Sequence, residues 1–498
     1  MNWKSTLARP FARFVAQKHH RQQQHAVAEQ QRIFQKLIAT GRTTAFGRAH
    51  DFENIRTHAD YRARVPVRDY EQLRPWIDRI LGGEPDVLWP GRPAYFAKTS
   101  GTTSGVKYIP ITKASIPNHF GSARNALFCY SAATNNYAWL DGKLIFLSGS
   151  PELTKTAGIL TGRLSGISNH LIPGWVKSGQ LPSYATNCID DWETKVDAIV
   201  EETVGQDLRL ISGIPPWVQM YFERLLERTG KRNVLEVFPN FSVFAYGGVN
   251  YEPYRPALEQ LIGRRIDSVE TYPASEGFVA FQDRPDDPAL ALNVASGIFF
   301  EFIPAAEFFD AQPTRLSLAE VVPGVNYALV INSNAGLWGY SIGDTVTFES
   351  VDPPRLFVSG RIKHFISAFG EHVIGKEVET AMREVSRALG VEVTEFTVAP
   401  QISPPGGELP HHEWLVEFGK PPTDPAEFAR RLDAAMVAQN IYYRDLIDGK
   451  ILRPLRVRAL PAGAFRAYLK SRGKLGGQNK MPRLSNDRTI AERLLAVS

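Results

Sequence analysis

The run KTSGTTSGVKY at 98–108 places two glycines among hydroxyl side chains and closes on a lysine. Those are the parts of a polyphosphate cradle. Glycine lets the backbone approach closely, hydroxyls and N–H groups donate to phosphate oxygens, and lysine adds charge. The spacing is not that of a Walker A loop, where four residues separate the glycines and Gly-Lys-Ser/Thr closes the motif. A Ser/Thr/Gly-rich surface turn would share the composition, but strand-like PAYFAK before it and YIPIT after it set the loop between two buried elements.

A second group, TYPASEG at 271–277, closes an apolar strand. Its ring, hydroxyl and carboxylate suit a nucleotide: Tyr272 against a base, Ser275 toward phosphate, Glu276 on Mg²⁺. A helix N-cap with an acidic first turn would read the same way. The third group is GYSIGD at 339–344. Asp344 follows a glycine in what reads as a tight turn, where it could accept from both hydroxyls of a ribose; an ordinary Gly-Asp turn has the same pattern.

These groups need elements to hold them. Residues 1–90 read as helical, with turn signals at Gly41, Gly47 and Pro66. From residue 94, apolar strands (143–150, 209–215, 241–248, 267–273) alternate with helices (217–228, 254–262), which predicts an α/β sheet architecture. Residues 294–359 read as consecutive antiparallel strands, a β-rich subdomain. A boundary is expected at Gly360-Arg361. The expected organisation is a large N-terminal domain over 1–360 and a small C-terminal α+β domain over 361–498.

The 498 residues, 43% hydrophobic and 22% charged, leave room for a large core and more than one domain. Two cysteines, Cys129 and Cys188, argue against a disulfide framework or a cysteine zinc site and make a cytoplasmic setting the default. A net charge of +5 fits anionic small molecules as readily as nucleic acid and decides neither; no nucleic-acid partner is expected. Lys4, Arg9 and Arg13 interrupt the first apolar stretch, so an amphipathic helix packed on the body is expected, with no signal core and no transmembrane segment. His119, His170 and His364 are scattered without ligand spacing, and His411-His412 reads as an exposed loop.

In order and distance, the three groups resemble the signature motifs of the adenylate-forming superfamily. More closely, the chain resembles the auxin-responsive-promoter family of acyl-acid amido synthetases: plant enzymes that join hormone acids to amino acids, with bacterial relatives among which this shorter chain is expected to fall. The likeness runs through TTAFGRAHDF (43–52), VPVRDYEQLRPWIDRILGGE (65–84), FAKTSGTTSGVKYIP (96–110), TYPASEG, LWGYSIGD (337–344) and QNKMPR (478–483). The segment at 65–84 and the terminal Lys-x-Pro-Arg point to this family within the superfamily.

The resemblance implies roles. Ser100, Gly101, Thr102, Thr103, Ser104 and Gly105 would be the phosphate loop, with Lys107 following. Gly247, Gly248 and Val249 would lie against the adenine opposite Tyr272. Ser275 belongs to the second motif, Glu276 would hold Mg²⁺, and Asp344 the ribose. Gly360-Arg361 would be the domain hinge, and Lys480 would swing onto the reacting phosphate. The implied substrates are ATP, a small carboxylic acid and an amino acid or other amine. Asn125, Phe128, Tyr130, Ile214, Pro215 and Trp217 are candidates for the acyl pocket, though such residues equally suit the core. Pro273-Ala274 departs from the small residues usual in the second motif. An acyl-CoA ligase shares the first half-reaction, and a non-catalytic nucleotide sensor would share the fold. Retention of every polar group in the three motifs favours the enzyme.

Overall fold

The computed structural model describes residues 3–100, 106–172, 174–189, 191–248, 251–252, 254–362, 365–366, 373–402, 404, 408–449, 451–472, 481–485 and 487–497. The chain divides into two compact units, one of residues 1–342 with 346–357, the other of 343–345 with 358–498.

The first unit begins with helices α1 (Trp3–Gln24), α2 (Ala26–Gly41), α3 (Ala45–Ala49), α4 (His58–Arg64) and α5 (Tyr70–Leu81). In α1, Ala12, Val15, His19 and Gln23 are buried, a three-to-four-residue recurrence that turns one face inward. Amides finish the joint to the sheet: Gln23 donates to the Leu292 carbonyl, and Gln30 of α2 to those of Val294 and Ile298. Reciprocal capping boxes open α4 (Thr57 with Asp60) and α5 (Asp69 with Gln72), so local sequence alone fixes both starts. Among the described residues, no helix is long and apolar enough to cross a membrane.

Strands follow as β1 (Tyr95–Ser100), β2 (Val106–Ile111), β3 (Lys143–Phe146), β4 (Thr154–Thr156), β5 (Ile159–Gly162), β6 (Gln180–Leu181), β7 (Leu208–Ser212) and β8 (Val243–Gly247). Then come β9 (Asp267–Ala274), β10 (Gly277–Phe281), β11 (Leu290–Leu292), β12 (Ile298–Pro304), β13 (Asn326–Ser333), β14 (Tyr340–Val351) and β15 (Pro354–Arg361). A small sheet has the order β2-β1-β5-β4, and an eleven-stranded sheet the order β12-β13-β14-β15-β11-β10-β9-β8-β7-β3-β6. Strands β6, β3, β7, β8 and β9 pair in parallel, while β9-β10, β10-β11, β11-β15 and β12-β13 are antiparallel. The protein is therefore α/β, and the β-rich stretch is an extension of the main sheet rather than a sheet of its own. Helix α6 (Ile116–Thr134) packs on α1 and on β9 and β10.

The second unit carries β16 (Phe365–Ile366) and β17 (Val373–Ile374), then a three-stranded sheet of β18 (Glu392–Gln401), β19 (His411–Lys420) and β20 (Arg456–Leu460). Its core joins Val378 and Met382 of helix Gly375–Leu389, Phe396, Trp414, and Phe428 and Leu432 of helix Pro425–Gln439. The expected exposed loop at His411-His412 is corrected here: both histidines open β19 and are buried, with His412 against the Tyr443 ring at 5.1 Å. A polar pair at a strand start looks like a loop in sequence, and burial by Tyr443 comes from chain 30 residues away.

Candidate active site

The second motif is a hairpin. Ala274 on β9 pairs with Gly277 on β10, which leaves Ser275 and Glu276 as the two turn residues. A strand follows and not a helix, so the helix-cap alternative is excluded. Tyr272 is buried, while Ser275 and Glu276 are half-buried. On the next strand Gly247 lies opposite Thr271. A Cβ on Gly247 would sit 2.3 Å from the Thr271 carbonyl oxygen, so only glycine allows this approach. Gly248 follows, exposed; Val249 lies outside the described residues. These groups gather at the C-terminal ends of parallel β7, β8 and β9, the end where α/β sheets bind ligands.

The third motif reaches the second through a residue that sequence reasoning passed over. The Tyr340 hydroxyl donates to Glu276 Oε1 at 3.4 Å. Burial, and next the charge of Glu276, hold the Tyr340 proton far above its ordinary range, so this hydroxyl stays a donor. Tyr340 is aligned from behind by the chain at 65–70. The Arg68 N–H donates to the Gly339 carbonyl at 2.8 Å, and the Ser341 N–H to the Arg68 carbonyl at 2.8 Å. Gly339 has φ +57, and a Cβ there would meet the Pro66 carbonyl oxygen at 2.6 Å, so glycine is required. Asn332 Oδ1 accepts from the Gly339 N–H at 2.7 Å and from the Tyr61 hydroxyl at 2.5 Å. Asn332 Nδ2 donates in turn to Glu301. Glu301 is fully buried and also bonds Arg315 and His58; against the cost of burial, the Arg315 charge and these hydrogen bonds hold its carboxyl down at about 2. The family-like segment at 65–84 thus has a physical task, as the splint of the third motif. Its only signal in sequence was the resemblance.

The phosphate-loop segment joins two paired strands, with Ser100 opposite Val106 and Thr99 opposite Lys107. Residues 101–105, and with them Gly101, Thr102, Thr103, Ser104 and Gly105, lie outside the described residues. Lys107 Nζ stands 5.6 Å from the centre of the Tyr70 ring, and the Tyr108 N–H donates to the Tyr70 hydroxyl at 2.8 Å. Tyr70 is the first residue of α5, next to the capping Asp69. Lys107 and Tyr108 thus meet the same 65–70 segment whose Arg68 braces Tyr340, the partner of Glu276.

Asp344 does not occupy a tight turn as expected. It lies within β14, half-buried, and belongs with Gly343 and Thr345 to the second unit. The Ile362 N–H donates to the Gly343 carbonyl at 2.7 Å, and Ser359 to Thr345 at 2.9 Å, all within that unit. Gly360 and Arg361 end β15, so the chain changes unit inside strands rather than in a linker. Lys480, like Lys474, lies outside the described residues, but the chain just after it is anchored. The Pro482 carbonyl accepts from Thr397 at 2.7 Å and the Arg483 carbonyl from the Val398 N–H at 2.9 Å. Arg483 bonds Glu379 and Glu395 and covers the Phe396 ring at 4.8 Å.

The acyl-pocket candidates are dispersed. Phe128 meets Phe11 of α1 edge-on at 5.2 Å, and Trp217 packs on Trp192 at 4.9 Å. Asn125 accepts from neighbouring Arg124, and the Tyr130 hydroxyl donates to Asp267. Pro215 is buried and Ile214 half-buried at the start of helix Pro215–Thr229. Burial pushes His119 down to about 4, and His170 bonds the Pro151 carbonyl; His364 lies outside the described residues. Among the described residues no group of three His, Cys, Asp or Glu side chains could hold a metal.

Three family models match in chain order: the GH3 family N-terminal domain over residues 15–170, its central domain over 291–361 and its C-terminal domain over 376–489. A probable indole-3-acetic acid-amido synthetase of Oryza sativa subsp. japonica is 24% identical, the match covering 94% of this chain and 89% of the relative. A jasmonoyl–L-amino acid synthetase of the same plant is 24% identical over 86% of this chain and 87% of its own. The structure of an acyl acid amido synthetase superposes with a TM-score of 0.78 at 17% identity, covering 97% of this chain and 95% of that one. The three matched domains take in most of the chain, and the fold agrees from end to end: this protein belongs to the GH3 family, the acyl-acid amido synthetases that its sequence resembles.

Proposed function

We propose that this chain is an ATP-dependent acyl-acid amido synthetase, acting on a small carboxylic acid and an amino acid or similar amine. The observation that carries the reading is the Tyr340–Glu276 hydrogen bond, which joins Tyr340 of the third motif to Glu276 of the second. The named relatives with which it shares its length, an indole-3-acetic acid-amido and a jasmonoyl–L-amino acid synthetase, support the reaction class.

A free carboxylate is a poor acyl donor because its leaving group would be oxide. Attack of its oxygen on the α-phosphorus of ATP releases pyrophosphate and leaves a mixed anhydride. An unprotonated amine then attacks the acyl carbon, the C–O bond breaks, and AMP departs. The protein's part is to position the reactants and offset phosphate charge. In this reading Tyr272 and Gly247-Gly248 would flank the base, the 100–105 loop and Lys107 would serve the polyphosphate, Asp344 the ribose, and Lys480 the α-phosphate in the first step. Movement of the second unit about Gly360-Arg361 would admit the amine in the second. Glu276 would hold Mg²⁺, which supplies positive charge to the phosphate oxygens. One half-buried carboxylate, steadied by a neutral hydroxyl, fits an ion that takes its remaining ligands from phosphate and water. Cys129 and Cys188, free thiols in the structure, suit a cytoplasmic setting.

Incubation with ATP, Mg²⁺ and a panel of acids should release pyrophosphate only when a suitable acid is present, and adding amino acids should yield an amide by mass spectrometry. Release of ADP and orthophosphate would sink the adenylate step. Consumption of the acyl-adenylate by CoA and by no amine would make the protein an acyl-CoA ligase.

A further inference from the structure

Helix α1 rests on the body through the buried Ala12, Val15, His19 and Gln23, but its outer side is not an ordinary solvated face. Leu7, Phe11 and Phe14 are 64%, 42% and 61% exposed. Steps of four and three residues set them in one stripe along the helix, and the next two steps reach Lys18 and Arg21, both exposed. Arg13 is exposed beside Phe14. Single apolar side chains are common on protein surfaces; three in register, continued by two cations, form a contiguous amphipathic strip.

The charge here has one sign. Helix α1 carries Lys4, Arg9, Arg13, Lys18 and Arg21 with no aspartate or glutamate, and α6 beneath it has Arg124 and no carboxylate either. Arg124 stands 5.5 Å from the centre of the Phe11 ring, so a cation borders the stripe on that side too. Arg9 turns inward, over the Tyr137 ring at 5.2 Å. Two acids that touch α1 are already engaged: Asp141 accepts from the Ser5 N–H at 3.3 Å, and Asp283 pairs with His19 and Arg355.

An occupant of this face must offer apolar depth to the stripe and negative charge around it. A second copy of the chain meets the first need and not the second, because a two-fold contact would set the cations of one α1 against those of the other. An anionic lipid surface meets both: acyl chains take Leu7, Phe11 and Phe14, and the headgroups take the cations. The helix has 22 residues, and at about 33 Å it is long enough to lie along such a surface.

We propose that the outer face of α1 docks this protein reversibly on an anionic bilayer, with Leu7, Phe11 and Phe14 at the acyl-chain boundary and Arg13, Lys18 and Arg21 among the headgroups. None of these residues belongs to the candidate active site, so docking and the proposed reaction stand or fall separately.

The test is co-sedimentation of the full chain with vesicles, one set of phosphatidylcholine alone and one with about one-third phosphatidylserine. The protein should pellet with the mixed vesicles and not with phosphatidylcholine, and it should be released as salt rises from about 0.1 M to about 0.5 M. Leu7→Ser with Phe14→Ser, and separately Lys18→Glu with Arg21→Glu, should each weaken binding by about 10-fold or more. The thermal midpoint and pyrophosphate release should stay near wild type in both. Phe14→Trp reports depth, since its added fluorescence should shift to the blue on the mixed vesicles. A wild-type chain that stays in solution with both vesicle sets would overturn the proposal, as would equal pelleting by the wild type and the Leu7→Ser, Phe14→Ser chain. A lipid-free dimer that the same two substitutions dissociate would also overturn it, by assigning the stripe to a second copy.

Discussion

Glu276 and Tyr340 divide the work at the turn between β9 and β10. Glu276 brings the charge, while the Tyr340 hydroxyl, kept protonated by burial and by that charge, fixes the carboxylate's direction. Glu276→Gln keeps shape and hydrogen bonding and removes charge, so pyrophosphate release should fall by on the order of 10²-fold with the thermal midpoint nearly unchanged. Near-normal release would return Glu276 to the role of a plain turn residue. Tyr340→Phe removes only the donor, so the expected loss is smaller, about 10-fold, in keeping with one hydrogen bond to a charged group. An equal collapse of stability and rate would instead assign Tyr340 to packing.

At the scale of elements, the third motif depends on chain far away in sequence. The Glu301–Arg315–His58 group, through Asn332, and the segment at 65–68 both bear on Gly339. Removing the Glu301 charge leaves Arg315 buried without its partner, and breaking such a pair typically costs about 3–5 kcal/mol. Glu301→Gln should therefore lower the urea midpoint markedly. Because the Glu301 carboxyl is held below its ordinary value, its contribution is full above about pH 4.5 and is lost as pH falls toward about 2. The destabilisation by Glu301→Gln should accordingly shrink in acid. A penalty independent of pH would mean that the hydrogen-bond pattern and not the charge of Glu301 holds this site.

The same elements explain what could be read from the chain alone. Strands at 143–150, 209–215, 241–248 and 267–273 were legible because each is a short apolar run bounded by turns, and the α/β architecture followed from the helices between them. Burial of His412 was not, since it comes from Tyr443, distant in sequence. Tyr340 and Arg68 were hidden for a related reason: their pairing spans some 270 residues, and no local pattern marks either partner. Asp344 was read as a turn from its glycine, yet strand pairing overrides that local preference.

For the whole molecule, the proposed reaction needs two environments in sequence. Lys480 directly precedes a segment of the second unit clamped along β18 by Pro482 and Arg483. Lys480→Ala should slow adenylate formation strongly yet still convert a supplied acyl-adenylate to amide at a near-normal rate. Lys474→Ala, matched in charge, should alter neither step. Mild and equal effects from both would reduce this segment to diffuse positive charge.

The central claim, that the acid is activated at the α-phosphate and then passed to an amine, is tested most directly by isotope. An acid carrying ¹⁸O in both carboxylate positions is incubated with ATP, Mg²⁺ and the amine, and the products are weighed. One labelled oxygen should appear in AMP and the other remain in the amide. Label in orthophosphate with ADP as the nucleotide product, or AMP formed without label, would contradict the account.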